Sequence, residues 1–420
     1  MKRNKFLAVC ASVAVATLAL SACSSAAPDS SPSKGKEVTF WGTWSGDQQR
    51  QAQEMIDLYN GSQDVYHVTY QAQEIVEQKL LTAMAGGDVP DVVLWDRNQT
   101  ALYAGKGVLH DLTDLVAKDS VDTSQFYEQA VLEMTHDDKL FGLPLTVDNR
   151  SIFYNKTLFE EAGLTPPTTW DELATTASAL TVWDGSSLKQ AGFSLDDAGL
   201  FNIWCYQAGC DLLSEDGTTT AFNSPAGLSV LTFWDQLLNQ DKVYKLGFGD
   251  GTDPFAEGKL AMKYDGPWAI STYNKVEGLD YGVVEPPTGP NGDKGAGMGG
   301  FGLIIPEGAK NVDGAWDFMT WWSTQPENGV KFGEIAGWIP ANVEAANNSF
   351  FVDDEHYGGL IATMEFAKVR PIVAGYSDVE GLALIPQLQK FLSGESSAET
   401  ALSTAQSEGD ALLSKAAAGR

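Results

Sequence analysis

Pro90-Asp91-Val92-Val93-Leu94-Trp95 is the stretch that decides the fold. A turn residue is followed by an unbroken apolar run, the pattern of a strand covered on both faces in a parallel sheet. Upstream, Glu37–Trp41 reads as a short strand. Ala52, Met55, Ile56 and Tyr59 then fall on one face of a helix, with Gly61 just past its end. Val65–Tyr70 alternates as a second strand, and a second helix runs to the Gly86-Gly87 pair, a C-cap signal. Strands alternating with helices predict an α/β fold with a mostly parallel sheet.

Downstream the style continues without a sequence repeat. Ser151–Tyr154 reads as a strand. Thr169-Trp170-Asp171-Glu172 is a capping box that opens a helix, and Ser224-Pro225 opens another with Pro at its favoured first position. Ala261–Tyr264, Tyr281–Val284 and Phe301–Ile305 read as further strands. From Val312 the period becomes helical, with Val312, Ala315, Trp316 and Met319 on one face. Ser396-Ser397-Ala398-Glu399 opens a C-terminal helix. A long α/β body with no internal linker suggests two lobes in close contact.

Composition narrows the function. The 420 residues are 43% hydrophobic and 20% charged, which supports a sizeable core. Lys+Arg number 27 against 56 Asp+Glu, a net charge of −29, so phosphate backbones would be repelled and nucleic acid is excluded as a partner. The N-terminus carries an address. Met1-Lys2-Arg3-Asn4-Lys5 is basic, Phe6–Leu20 is apolar but short for a membrane span, and Leu20-Ser21-Ala22-Cys23 resembles the bacterial lipobox, in which the cysteine is acylated. The Ser, Ala and Pro residues that follow make a flexible tether. Of the remaining cysteines, Cys205 and Cys210 either pair in an oxidising compartment or stay as separate thiols.

Catalytic signatures do not emerge. Gly295-Ala296-Gly297-Met298-Gly299-Gly300 satisfies G-x-G-x-x-G, but it runs into the strand-like Phe301–Ile305 rather than a helix, so no dinucleotide is expected. A glycine-rich crossover fits better. His67, His110, His136 and His356 are scattered, so neither zinc nor any other metal or cofactor is expected. No P-loop and no G-x-S-x-G elbow is present. What remains is aromatic residues beside polar ones at strand ends: Trp41 and Trp44, Trp95-Asp96-Arg97, Asn202 with Trp204, and Gly266-Pro267-Trp268. Ligands of open α/β sheets bind at the carboxyl ends of strands. Indole faces stack on the C–H faces of pyranose rings, while carboxylates, amides and Arg bond the hydroxyls. Trp316, Trp321 and Trp322, on a helix, read as core.

An ordered set of blocks is similar to one family. Gly142-Leu143-Pro144 precedes Tyr154-Asn155-Lys156, then Pro166-Pro167-Thr168-Thr169-Trp170-Asp171-Glu172-Leu173. Phe255-Ala256-Glu257-Gly258-Lys259-Leu260-Ala261-Met262 leads to Gly266-Pro267-Trp268. Gly299-Gly300-Phe301-Gly302 and Gly337-Trp338-Ile339-Pro340 follow. Together they resemble bacterial extracellular solute-binding proteins of ABC importers, family 1, which include the maltodextrin-binding protein. The resemblance implies two α/β lobes, each a mostly parallel sheet flanked by helices, joined by hinge strands around a ligand cleft.

Carried over by position, it implies Trp268 as the stacking ring and Asp148 as a hydroxyl-binding carboxylate at the hinge. Trp44, Asp47, Trp95, Asp96 and Arg97 fall at first-lobe contacts. Asn202, Trp204, Gly300, Trp338 and Arg370 complete the expected set. The family usually has Gly at position 210, so Cys210 is a departure that hints at a short disulfide loop with Cys205. The implied organisation is a signal peptide (1–22), a tether (23–36), a first lobe (37–147 with 302–355) and a second (148–301 with 356–420). The implied function is an oligosaccharide-binding lipoprotein anchored through Cys23 to the outer face of a Gram-positive membrane. It would act as a monomer, serve an ABC permease and catalyse nothing. Two alternatives stand beside it. One is a secreted glycoside hydrolase, which needs a carboxylate pair across a cleft. The other is a binder of quaternary amines or polyamines, caged by the same aromatics. Arg97 and Arg370 favour sugar.

Overall fold

The computed structural model describes residues 35–418. The signal peptide, Cys23 and nearly all of the tether therefore lie outside the described residues. Strands β1 (Lys36–Gly42), β2 (Tyr66–Ala72) and β3 (Val92–Asp96) run parallel, with β1 in the middle. Helices α1 (Gly46–Ser62) and α2 (Val76–Gly86) connect them, and Gly87 closes α2 in the left-handed conformation. α1 runs through Gly61 instead of stopping before it. Asp91 earns its place at the turn before β3: its carboxylate accepts from the Thr39 backbone and from the N–H groups of Lys310 and Asn311.

The chain then passes between lobes. β4 (Gly142–Pro144) lies at the edge of the first sheet. β5 (Thr146–Asn149) and β6 (Ser151–Asn155) follow with single-residue breaks, and β6 is the central strand of a second sheet, between β7 (Met262–Asp265) and β8 (Tyr281–Val284). The return is the mirror of this passage. β9 (Ala296–Gly299) pairs with β5, and after Gly300 β10 (Phe301–Ile304) enters the first sheet between β3 and β4. A third passage, β11 (Ile339–Pro340), also pairs with β5, and β12 (Ala367–Val369) pairs with β9. The glycine-rich run is thus a crossover, as its sequence context predicts.

One expectation is corrected. The second sheet is not mostly parallel in its pairings, because β6 runs antiparallel to both neighbours. The reason is topological. In each lobe the strand that arrives across the hinge, β10 in the first and β6 in the second, opposes the strands beside it.

The first lobe's core lies on both faces of its sheet. One face carries Phe40, Trp44, Trp316 and Trp322, the other Val93, Trp95 and Tyr103. Trp316 and Trp322 are core, as their helical spacing predicts. Both helix openings read from the sequence form: Thr169 accepts from Glu172 N, and Ser224 accepts from Gly227 N with Pro225 next to it. Among the described residues no helix is long and apolar enough to cross a membrane.

Candidate functional site

The hinge is assembled from the sequence outward. Gly299 pairs with Asp148, and a Cβ on Gly299 would touch the Asp148 carboxylate at 3.1 Å. Gly300 has φ +133° and sits against the Thr146 carbonyl and the Arg97 guanidinium, so its role is steric and it offers no ligand contact. Arg97 extends from the end of β3 and is wholly buried. It donates to Glu133 Oε2 (3.0 Å), to the Gly299 carbonyl (2.6 Å) and to the carbonyls of Thr146 and Phe301. Burial pushes the Glu133 carboxyl up to about 7, against the opposing pull of Arg97. The expectation that Arg97 binds ligand is therefore corrected: its donors fasten the two crossing strands. Arg370, after β12, shares its Nε–H between the two Glu380 oxygens at 2.7 and 3.0 Å. Asp96 lies between them, its carboxyl raised by burial, with Arg370 opposing and Asp148 adding to the shift.

A cavity of about 530 Å³ opens beside this hinge in the second lobe, within the range that holds small ligands. Its wall includes Trp204, Trp268, Tyr264, Arg150, Lys263 and Asp265, with the glycine-rich Gly249–Pro254 loop at its rim. Trp268 is half-buried and packs on the cores of both lobes. Its ring lies 5.1 Å from that of Trp338, which stands after the first lobe's last helix, and Trp338 in turn touches Trp44 at 6.0 Å. Trp204, 1% exposed, forms the cavity floor on the helix Phe201–Gln207. That helix ends in a Cys205–Cys210 disulfide.

Asp148 donates nothing and accepts one strong contact, from Arg150 Nη1 at 2.8 Å. The same guanidinium lies over the Trp268 ring, its Cζ 4.1 Å from the centroid. Arg150 is the residue that the sequence reading missed. It stands in the single-residue break between β5 and β6, two residues after Asp148, where no motif marks it. Lys263 is the cavity's other cation and pairs with Asp265 at 2.9 Å. The remaining wall carboxylates keep solvent exposure: Asp196 accepts from Ser194 and Tyr244, Asp197 from Gly199 N, and Asp253 from Phe255 N and Ala256 N, while Asp250 stands exposed at the rim.

Other expected residues lie elsewhere. Trp44 and Trp95 are 2% and 0% exposed and offer no free face, because both faces of their sheet are covered. Asp47 is on the surface, paired with Arg50 at the start of α1. Asn202 is buried under β9, where a Cβ on Gly297 would press on its amide. Among the described residues no group of three or more His, Cys, Asp and Glu could hold a metal.

Two lobes, strands crossing between them, and a cavity walled by rings and hydrogen-bonding groups beside the hinge are the architecture of a ligand-binding protein. Residues 54–359 match the bacterial extracellular solute-binding protein family, and the chain belongs to it. It is 25% identical over 421 residues, 96% of each chain, to a maltooligosaccharide ABC transporter solute-binding lipoprotein of Streptococcus pneumoniae. The GacH receptor of Streptomyces glaucescens, solved free and with acarbose, is similar at 26% identity and a TM-score of 0.82, covering 91% of this chain and 99% of that one. The cyclic α-maltosyl-1,6-maltose binding protein of Arthrobacter globiformis has 26% identity and a TM-score of 0.75, with 90% and 99% covered.

Proposed function

We infer that this protein captures a neutral oligosaccharide in the cleft and delivers it to the permease of an ABC importer. The observation that carries this reading is the meeting of Trp268 and Asp148 at one guanidinium beside the cavity. A stacking face and a hydroxyl acceptor stand together there, as a sugar ring requires. The relatives bind maltooligosaccharides, acarbose and a cyclic maltosyl-maltose by their names, which supports the same class here. Asp96 would complete the first-lobe side, while Trp204 and Trp338, as closed off as Trp44, support the cavity from behind.

The protein acts as a monomer held by lipid on Cys23 at the outer face of a Gram-positive membrane, and it uses no cofactor and catalyses nothing. Native mass spectrometry followed by calorimetric titration with maltotriose, mannotriose, choline and spermidine tests the ligand class. Micromolar binding of a trisaccharide with unchanged sugar mass after days supports the reading. Preference for spermidine, or steady hydrolysis of the sugar, overturns it. Cys23→Ala should move the protein from the membrane fraction to the medium.

A further inference from the structure

Arg150 is the only residue described here that holds both Asp148 and Trp268. The two come from different parts of the chain, one on hinge strand β5 and the other in the turn after β7. Arg150 Nη1 donates to Asp148 Oδ1 at 2.8 Å, and among the described residues its guanidinium has no other hydrogen-bond partner. Its Cζ sits 4.1 Å over the indole. The indole's other surroundings are fixed. The Gly266 backbone is so close that a Cβ there would enter the ring, and Trp338 leans on it at 5.1 Å and 44°. The surface under Arg150 is therefore the part of the ring that a ligand can take. Arg150 also lines the cavity and its side chain is 31% exposed, so it has solvent to swing into.

A guanidinium imitates a sugar in both respects that this corner recognises. It is flat and weakly hydrated on its faces, and it carries donors along its edge. We propose, resting on the oligosaccharide reading, that Arg150 is the resident occupant of the stacking site and that a ligand binds by displacing it. Arg150 then sets specificity. A ligand must replace both contacts at once, with an apolar C–H face for Trp268 and a hydroxyl donor for Asp148. A compound that offers only one of these leaves the other group bare. In the empty protein the same contact keeps the buried Asp148 charge paired, where an uncompensated carboxylate would be costly.

The test compares wild type with Arg150→Ala and Arg150→Gln, the second keeping an amide donor for Asp148 should the first fold poorly. Calorimetric titration with maltotriose should show roughly 3- to 30-fold tighter binding in both variants, the scale of a lost competing cation–π and ion-pair contact. Arg150→Lys keeps the pairing charge but not the flat face, so its affinity should fall between wild type and the other two variants. Binding weakened tenfold would make Arg150 a direct ligand contact, and unchanged binding would make it a bystander; either result overturns the proposal. A second readout needs no sugar. In protein labelled with 5-fluorotryptophan, the Trp268 resonance, assigned by its loss in Trp268→Phe, should move in ligand-free Arg150→Ala. An unmoved resonance refutes the occupancy. If neither maltotriose nor mannotriose binds wild type or variant, the oligosaccharide reading fails, and the fluorine shift alone decides whether Arg150 holds the ring.

Discussion

Trp268→Ala removes the ring on which the ligand is expected to stack, and its size can be worked from what the ring touches. A fully buried tryptophan removes 150–250 Å² from water, so covering one face with a sugar accounts for about 100 Å². At about 25 cal/mol per Å² that face contributes roughly 2.5 kcal/mol to binding. The same mutation also frees Arg150 from its cation–π contact, which lowers the cost of displacing it by about 0.5–1 kcal/mol. The net loss should be about 1.5–2 kcal/mol, or about 10- to 30-fold in affinity. Because the ring also bears on both lobes' cores, the variant should melt earlier than wild type. Trp316→Ala separates the two effects. Trp316 is buried in the first lobe, with its Nε1 donating to Asp119 at 2.7 Å, far in sequence from the cavity wall. It should lower the melting temperature and leave the affinity of the folded fraction within twofold. Calorimetric titration and thermal melts of both variants decide the matter. If Trp268→Ala binds the trisaccharide within twofold of wild type while melting early, the stacking role is wrong and Trp268 is a packing residue.

Asp148→Asn keeps the side chain's shape and one acceptor oxygen but loses the charge that ligand hydroxyls bond; the release of Arg150 offsets part of that, so titration should show about a tenfold loss, near the low end of a charge-assisted hydrogen bond. Gly300→Ala should cost about 2–4 kcal/mol in urea denaturation, since the new Cβ meets the Thr146 carbonyl and Arg97 at a strained φ; a change under 0.5 kcal/mol would remove the steric account of that glycine. Glu133 titrates higher in the folded protein than the ordinary 4.5. The folded state then holds the extra proton, so this group's contribution is greatest below pH 4.5 and is lost as pH rises to about 7, by up to about 3 kcal/mol. Glu133→Gln should flatten that part of the stability–pH curve, and a curve parallel to wild type would show that Arg97 keeps Glu133 ionised throughout.

The fold was legible because its signals are local. The run Val92–Trp95 could only be a covered strand, and the glycines before Phe301 could only be a crossing when a strand, not a helix, followed them. Strand sense in the second sheet was not legible, because it follows from which strand enters across the hinge, a long-range fact. The site was half legible. Trp268 and Asp148 come together at Arg150 beside the cavity, which is compatible with the roles expected of them. Arg97 and Gly300 were misread because a buried Arg at a strand end looks the same in sequence whether its fork meets a ligand or three backbone carbonyls. Trp44 and Trp95 were misread for a related reason. A ring next to polar residues marks a sheet end, and only the packing of helices Val312–Thr324 and Pro326–Ala336 decides that Trp44 is closed off.

The residues lost from the expected ligand set bear on how binding could move the lobes. A ligand shifts an open–closed equilibrium only by the difference in its contacts with the two states. Arg97 ties β3 to the crossing strands at the pivot, where distances change least on closure, so it can hold the hinge without choosing between states. The choice falls to groups away from the pivot. Trp268, in the second lobe, already leans on Trp338, and Trp338 leans on Trp44 in the first. Displacing Arg150 from Trp268 alters the end of this line of rings nearest the ligand. A sugar that takes the vacated face would act on the interlobe ring contact, away from the pivot, and a contact of that kind that differs between open and closed forms is what would give a bound ligand differential affinity for one of them.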